Sequence, residues 1–245
     1  MTEVIFIGTS DAFGAGGRRQ SATFVRGPSG GLLFDCGGTT LSGLNELGIE
    51  RGEVDTVILS HFHADHFGGI PSMLIAMLYE DQRDDVLRIA GPPEVEQRVR
   101  AACSALGHPL EDKLWCFKTE FTVLEPGRPT LLGPVGVVGF QTHHNPEANP
   151  QGYVVTAGSK RIAYSGDTGW FEALPEMVQG SDLFICECTQ MTPGYEYHLS
   201  LEELLERKDQ FDVQDIVLTH LGTEMSKQRG QCPLPTADDG LIVRV

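Results

Sequence analysis

No stretch of this 245-residue chain approaches the roughly 20 consecutive apolar residues needed to cross a bilayer, so no membrane-spanning helix is expected. Basic residues are scarce: 18 lysines and arginines stand against 34 aspartates and glutamates, a formal net charge of −16. Gripping a long nucleic acid requires a basic surface that displaces counterions, so a large nucleic-acid partner is not expected. A small phosphorylated substrate drawn in by metal ions is not excluded. The six cysteines (Cys36, Cys103, Cys116, Cys186, Cys188 and Cys232) include no C-x-x-C pair. Met1-Thr2-Glu3 runs directly into Val4-Ile5-Phe6-Ile7 without a basic leader. Disulfides and an export signal are therefore not expected, and a cytoplasmic location is the default. The run Gly14-Ala15-Gly16-Gly17 lacks the spacing of a phosphate- or dinucleotide-binding loop.

What is present is a regular alternation of short elements. Apolar runs between glycines predict strands at Val4–Gly8, Ala22–Arg26 and Gly31–Cys36, then a helix over Thr39–Leu47. A strand at Val54–Ser60 follows, then a helix over Gly69–Asp81 with Pro71 in its first turn. A strand at Val86–Ala90, a helix over Glu94–Leu106 and a strand around Leu114–Lys118 complete the first half. The second half predicts strands at Val135–Thr142, Gly152–Thr156 and Arg161–Ser165, then a helix over Trp170–Gln179. A strand at Asp182–Cys188, a helix over Leu201–Lys208 and a strand at Asp215–Thr219 follow. Ser200 and Glu203 read as a capping box that starts its helix just after His198. Cys186 and Cys188 flank Glu187 on one strand, so they point away from its face and read as buried thiols. Strands early and helices late in each half predict two sheets face to face with helices outside, an α/β (α+β) arrangement.

The densest chemistry lies in Ser60-His61-Phe62-His63-Ala64-Asp65-His66, spaced His-x-His-x-Asp-His. Imidazole and carboxylate are ligands for zinc, manganese or iron, and a core rarely accepts four such groups together without partners. Solvated loop histidines are the bland alternative. Three further strand ends carry ligand types: Gln141-Thr142-His143-His144, Tyr164-Ser165-Gly166-Asp167-Thr168 and Leu218-Thr219-His220-Leu221-Gly222. Recurrent strand-end loops of this kind converge on one site. They bring the set to seven ligands, enough for two metals.

These motifs resemble the metallo-β-lactamase fold superfamily in its binuclear hydrolase branch, across nearly the whole chain. The resemblance implies a four-layered αββα sandwich, with residues 1–245 as one hydrolase domain. It also implies two divalent metal ions, zinc first, with manganese or iron as alternatives. Motif by motif, His61, His63 and His144 look like the ligands of one ion, and Asp65, His66 and His220 like those of the other. Asp167 would bridge them, and Asp35 in Phe34-Asp35-Cys36-Gly37 resembles the aspartate that buttresses the metal loop. His143 and His144 compete for one ligand role, and the family pattern favours His144. The opening Ile7-Gly8-Thr9-Ser10-Asp11-Ala12 is similar to the branch containing ribonuclease Z and the phosphodiesterase of the carbon–phosphorus lyase pathway. Glu187 and His198 resemble its pair that assists leaving-group departure, although His198 also reads as a surface residue. Only residues 154–166, 13 in all, separate Tyr153 from Asp167, too few for the tRNA-gripping arm of long-arm ribonuclease Z. Homodimers are common in such families, so a homodimer is one expectation.

The expected function is hydrolysis of a small-molecule phosphodiester. Two ions bridged by Asp167 would hold a hydroxide, Asp65 would orient it, and His198 held by Glu187 would protonate the leaving oxygen. The following helix disfavours a charged His198 and the carboxylate favours it. The same ligands could serve a carboxylic-ester, lactone or sulfate-ester hydrolase. A di-iron electron-transfer protein of this fold would commonly carry glutamate in place of His63. Arg18 and Arg19 read either as a bidentate phosphate clamp or as solvated loop residues.

Overall fold

Alternate side chains of β1 (Glu3–Gly8) belong to different cores: Val4 and Phe6 to one, Ile5 and Ile7 to another. A strand's period of two assigns its side chains to opposite faces, and two apolar faces require a layer on each side. The structure, a computed structural model, describes residues 1–111 and 115–245. After β1 come β2 (Ala22–Gly27), β3 (Gly30–Phe34), α1 (Thr40–Glu46) and β4 (Thr56–Ile58). Then follow α2 (Ala64–Phe67), α3 (Ile70–Tyr79), β5 (Leu87–Gly91), α4 (Val95–Ala105) and β6 (Thr119–Val123). The second half holds β7 (Thr130–Leu132), β8 (Val135–Gln141), β9 (Gln151–Ala157), β10 (Lys160–Tyr164) and α5 (Leu174–Val178). It closes with β11 (Ser181–Glu187), α6 (Leu201–Arg207), β12 (Val213–Thr219), α7 (Thr223–Ser226) and β13 (Ile242–Arg244).

One sheet runs β13-β1-β2-β3-β4-β5-β6 and the other β12-β11-β10-β9-β8-β7. Phe6, Phe34, Ile58, Tyr153, Tyr164 and Ile185 fill the space between them. The outer face of the first sheet packs Ile7, Leu33 and Val57 against Leu44, Met73 and Val99 of its helices. The outer face of the second packs Phe184 and Leu218 against Leu174, Leu204 and Met225. This is the four-layered αββα sandwich of the metallo-β-lactamase type.

Several expected elements sit differently. The predicted strand around Leu114–Lys118 has Leu114 outside the described residues, and the strand lies instead at β6. Trp115 and Phe117 are loop residues packed on the first core. The helix predicted over Trp170–Gln179 is confined to α5, because Trp170 and Phe171 cover the sheet from irregular backbone. Two three-residue edge strands went unread. β13 pairs with β1 at the far end of the chain, Val4 opposite Val243, and no local pattern announces such a partner. The capping box of Ser200 and Glu203 is formed, and both Cys186 and Cys188 are buried on the helix side. All six cysteines are free. The Tyr153–Asp167 segment is the β9–β10 hairpin with no arm. Among the described residues no helix is long and apolar enough to cross a membrane.

The site's place follows from strand direction. β3, β4, β5 and β6 are parallel, as are β10, β11 and β12, so their following loops emerge at common edges. The loop after β4 is pressed against that after β3. A Cβ on Gly37 would lie 2.2 Å from the Asp65 carbonyl, and one on Gly69 would lie 2.2 Å from the Gly37 carbonyl. Only glycine permits that approach at either position.

Candidate metal centre

The four loops bring seven polar side chains to one point. His61, His63, His144 and Asp167 form one group, and Asp65, His66, Asp167 and His220 a second. In the first, His63 Nδ1 lies 3.0 Å from His61 Nε2 and 3.1 Å from His144 Nε2. Asp167 Oδ2 lies 3.7 Å from His61 Nε2 and 3.9 Å from His144 Nε2. In the second, Asp167 Oδ1 is 3.1 Å from His66 Nε2 and 3.4 Å from His220 Nε2. Asp65 Oδ2 is 3.3 Å from each of those nitrogens. Asp167 alone turns one oxygen to each group.

A divalent ion fits both groups on this geometry. Metal–ligand bonds of about 2.0–2.1 Å place tetrahedral ligand atoms about 3.3 Å apart, close to the separations here. His66 Nε2 and Asp167 Oδ1 are buried and lack any hydrogen-bond partner, although they face one another. An unsatisfied buried pair of this kind is costly unless a cation lies between them.

The outward nitrogen of each Nε2 ligand is held by an acceptor, which fixes the tautomer. His66 Nδ1–H donates to Asp35 Oδ2 at 2.7 Å, and His144 Nδ1–H donates to the Tyr197 carbonyl at 3.0 Å. His61 Nδ1–H donates to Ser60 Oγ at 2.9 Å, and that hydroxyl donates to Asp35 Oδ2 at 2.8 Å. Thus each Nε2 keeps its lone pair for the centre. Burial and the neighbouring imidazoles hold the His61 proton affinity well below normal, and burial also lowers those of His63 and His144. In the second group burial opposes charge, but the Asp167 and Asp65 carboxylates outweigh it and raise His66 well above normal. The same imidazoles hold Asp167 far below the usual carboxylate range despite its burial. Protons there occupy the place of a cation, so metal binding would release them.

Glu187 follows Leu183 and Ile185 on the inward face of β11, one step beyond the core. His198 Nδ1–H donates to Glu187 Oε1 at 2.8 Å. Burial pulls the His198 pKa down, but the charge and hydrogen bond of Glu187 prevail and push it up to about 9. The carboxylate therefore wins over burial, and any bound cation would bring the value back down. The His198 ring stacks on His220 at 5.5 Å and meets His144 edge-on at 5.1 Å, so it spans both groups.

The sequence leaves two pairs of readings open. His143 lies outside the cluster, partly exposed and facing Glu196, whereas His144 is within it. Arg18 and Arg19 face the protein's own carboxylates rather than a phosphate site. Arg18 makes a bidentate pair with Asp238, and Arg19 pairs with Glu46 while its backbone N–H donates to Asp239. Both pin the C-terminal tail, and among the described residues no lysine or arginine lines the cavity above the centre. Ser60, Tyr164 and Thr189 were not read as site residues. Thr189 lies two positions after Glu187, the one local sign that both could serve the same face.

The sequence profile of the Anti-Pycsar protein Apyc1 family matches residues 2–234. The chain belongs to that family. This Apyc1-family chain is also 25% identical to the ribonuclease Z of Methanothermobacter thermautotrophicus, over 93% of the chain and 89% of that protein. In solved structures, it superposes on the metallo-β-lactamase fold protein YhfI of Bacillus subtilis with a TM-score of 0.80 at 23% identity, covering 100% of both chains. A diphosphatase of the PhnP family gives the same TM-score at 15% identity, covering 100% of this chain and 98% of that one. These two likenesses establish the fold of the Apyc1-family chain.

Proposed function

We propose that this protein is a binuclear metal-dependent hydrolase of small phosphodiesters, with residues 1–245 acting as one domain. His61, His63 and His144 would hold one divalent ion, Asp65, His66 and His220 the other, and Asp167 would serve both; zinc suits this donor set. The observation that carries the reading is the Glu187–His198 pair beside the double cluster. With Nδ1 committed to Glu187, His198 can donate only from Nε2, and the Glu187 carboxylate favours the protonated ring. An alkoxide leaving from phosphorus needs such a donor. When bound, the two ions supply a water of lowered pKa and Lewis-acid stabilisation of the phosphoryl oxygens. Asp65 accepts a hydrogen bond from the attacking water and orients it, and Glu187 stabilises the charged His198 until its proton is given up.

Small size is favoured by the cavity of about 430 Å³, which also takes in Asn145, Gln190, Phe13 and Tyr195. Among the described residues no lysine or arginine on its walls would hold an extended polyanion. The names of the ribonuclease Z and diphosphatase relatives fit attack at phosphorus, while the net charge of −16 disfavours a long RNA.

The deciding test measures metal content, then turnover of nitrophenyl and nucleotide diesters, linear and cyclic, beside monoesters, sulfates, carboxylic esters and lactones. Two ions per chain and selective diester turnover are expected; lactone turnover without diester turnover would reject the substrate assignment. His198→Ala should lower kcat by about 10²–10⁴-fold on diesters with alkoxide leaving groups and far less on nitrophenyl diesters. Equal losses on both would show that His198 does not donate that proton.

Phe13 and Tyr195 stand 93% and 57% exposed at the cavity rim. Asp11 Oδ1 accepts from the Phe13 and Ala15 backbone N–H groups, which fixes the loop backbone that carries the exposed ring. A planar substituent would stack there, each ring contributing about 1–3 kcal/mol. Phe13→Ala should raise KM for aryl and nucleotide diesters by about tenfold with kcat and thermal midpoint unchanged. An unchanged KM would remove Phe13 from the binding surface.

A further inference from the structure

The hydrogen bonds behind the centre repeat the same pattern at both ends. Asp35 takes the Nδ1 proton of His66 directly and reaches His61 through the Ser60 hydroxyl. Glu187 takes the Nδ1 proton of His198 directly and reaches His220 through the Thr189 hydroxyl, at 3.0 and 2.9 Å. Each carboxylate thus serves one imidazole by contact and a second through an intervening alcohol.

We propose that Thr189 is a positioning residue through which Glu187 orients the metal-ligand imidazole of His220 as well as His198. The inference rests on the metal-centre reading above. Thr189 Oγ lies 3.0 Å from Glu187 Oε2 and 3.0 Å from the His220 carbonyl, both of which only accept. Its single proton goes to the charged carboxylate, the stronger acceptor, so its lone pair is left facing His220 Nδ1. That nitrogen must carry the proton, and Nε2 is left bare toward Asp65 and Asp167.

The backbone explains why His220 needs this support. His220 sits just beyond β12 at φ +53°, the left-handed region, outside the ladder that would otherwise fix its ring direction. Thr189 is in turn anchored. Its N–H donates to Glu187 Oε2 at 3.1 Å, its carbonyl accepts from Gly222 N–H at 3.2 Å, and a Cβ on Gly222 would lie 2.4 Å from that carbonyl. Glu187 Oε1 is also held by the Thr168 N–H at 2.8 Å. The leaving-group donor and one ligand of the second ion therefore share a single rigid carboxylate.

The test compares Thr189→Val, which keeps the shape and removes the hydroxyl, with Thr189→Ser, which keeps the hydroxyl. Zinc affinity is measured on the full chain by competition with a chromophoric chelator, and the cobalt(II)-loaded protein gives the ligand-field spectrum. Thr189→Val should weaken one of the two zinc-binding steps by about 10–100-fold, leave the other unchanged and shift the cobalt bands. Thr189→Ser should restore both readouts. Wild-type affinities and spectrum in a folded Thr189→Val protein would overturn the proposal. If Thr189→Val fails to fold, Thr189→Ser and Thr189→Ala are compared: weaker binding in Ala alone supports the proposal, and equal binding overturns it. A wild-type chain that binds fewer than two zinc ions would instead reject the metal-centre reading itself.

Discussion

Asp167→Ala is expected to leave fewer than two ions per chain and to cut diester turnover by about 10³-fold or more. Asp167 is the one side chain whose two oxygens reach both ligand groups. Its removal leaves Asp65 as the sole carboxylate among the imidazoles of the two groups. Two cations cannot be held close together with that charge lost. Losing one ion forfeits several kcal/mol of transition-state stabilisation, and about 4 kcal/mol corresponds to about 10³-fold in rate. The loop itself should persist, because the Asp167 carbonyl still accepts from Thr142 Oγ at 3.0 Å and Thr168 N–H still donates to Glu187. Elemental analysis with steady-state kinetics checks both halves. Two bound ions and near wild-type turnover in the variant would reject the bridging role.

The second large effect is on stability. Asp35 is fully buried and accepts four hydrogen bonds: Ser60 N–H at 2.7 Å, Ser60 Oγ–H at 2.8 Å, His66 Nδ1–H at 2.7 Å and Tyr164 O–H at 2.5 Å. Asp35→Ala orphans all four donors where water cannot reach them, and places alanine at φ +58°. Breaking a buried network of this kind costs about 3–5 kcal/mol. For a chain of this size the thermal midpoint should fall by about 6–20 °C. The comparison belongs in chelator, so that lost metal does not add to the difference. A shift within about 2 °C would mean that other groups, or water, take over the donors. Asp35→Asn keeps the shape and one acceptor oxygen, and should fall between.

These two aspartates also show how much was legible. Asp167 stood out because Ser165-Gly166-Asp167-Thr168 ends a clear apolar strand with a ligand residue, a local pattern. Asp35 stood out only through resemblance, since one aspartate after a strand is commonplace. What it accepts from lies 25 to 129 residues away, and no spacing rule connects them. Arg18 illustrates the reverse. A glycine loop with two arginines invited a phosphate, but its partner Asp238 sits 220 residues along the chain. The edge strand β13 was missed for the same reason, since its partner β1 lies at the other end of the chain, whereas β7 pairs with the adjacent β8 but is too short to show an alternation.

By itself the sequence determined the alternation of elements, the two buried-face sheets and the identity of the ligand types, since each depends on residues a few positions apart. Period and spacing are local, and the chain carries them before it folds. Only the tertiary structure decided that the arginines face their own carboxylates. It alone placed Thr189 between Glu187 and His220. Those outcomes depend on hydrogen-bond directions across residues brought within about 3 Å by packing, and directionality of that kind has no signature along the chain.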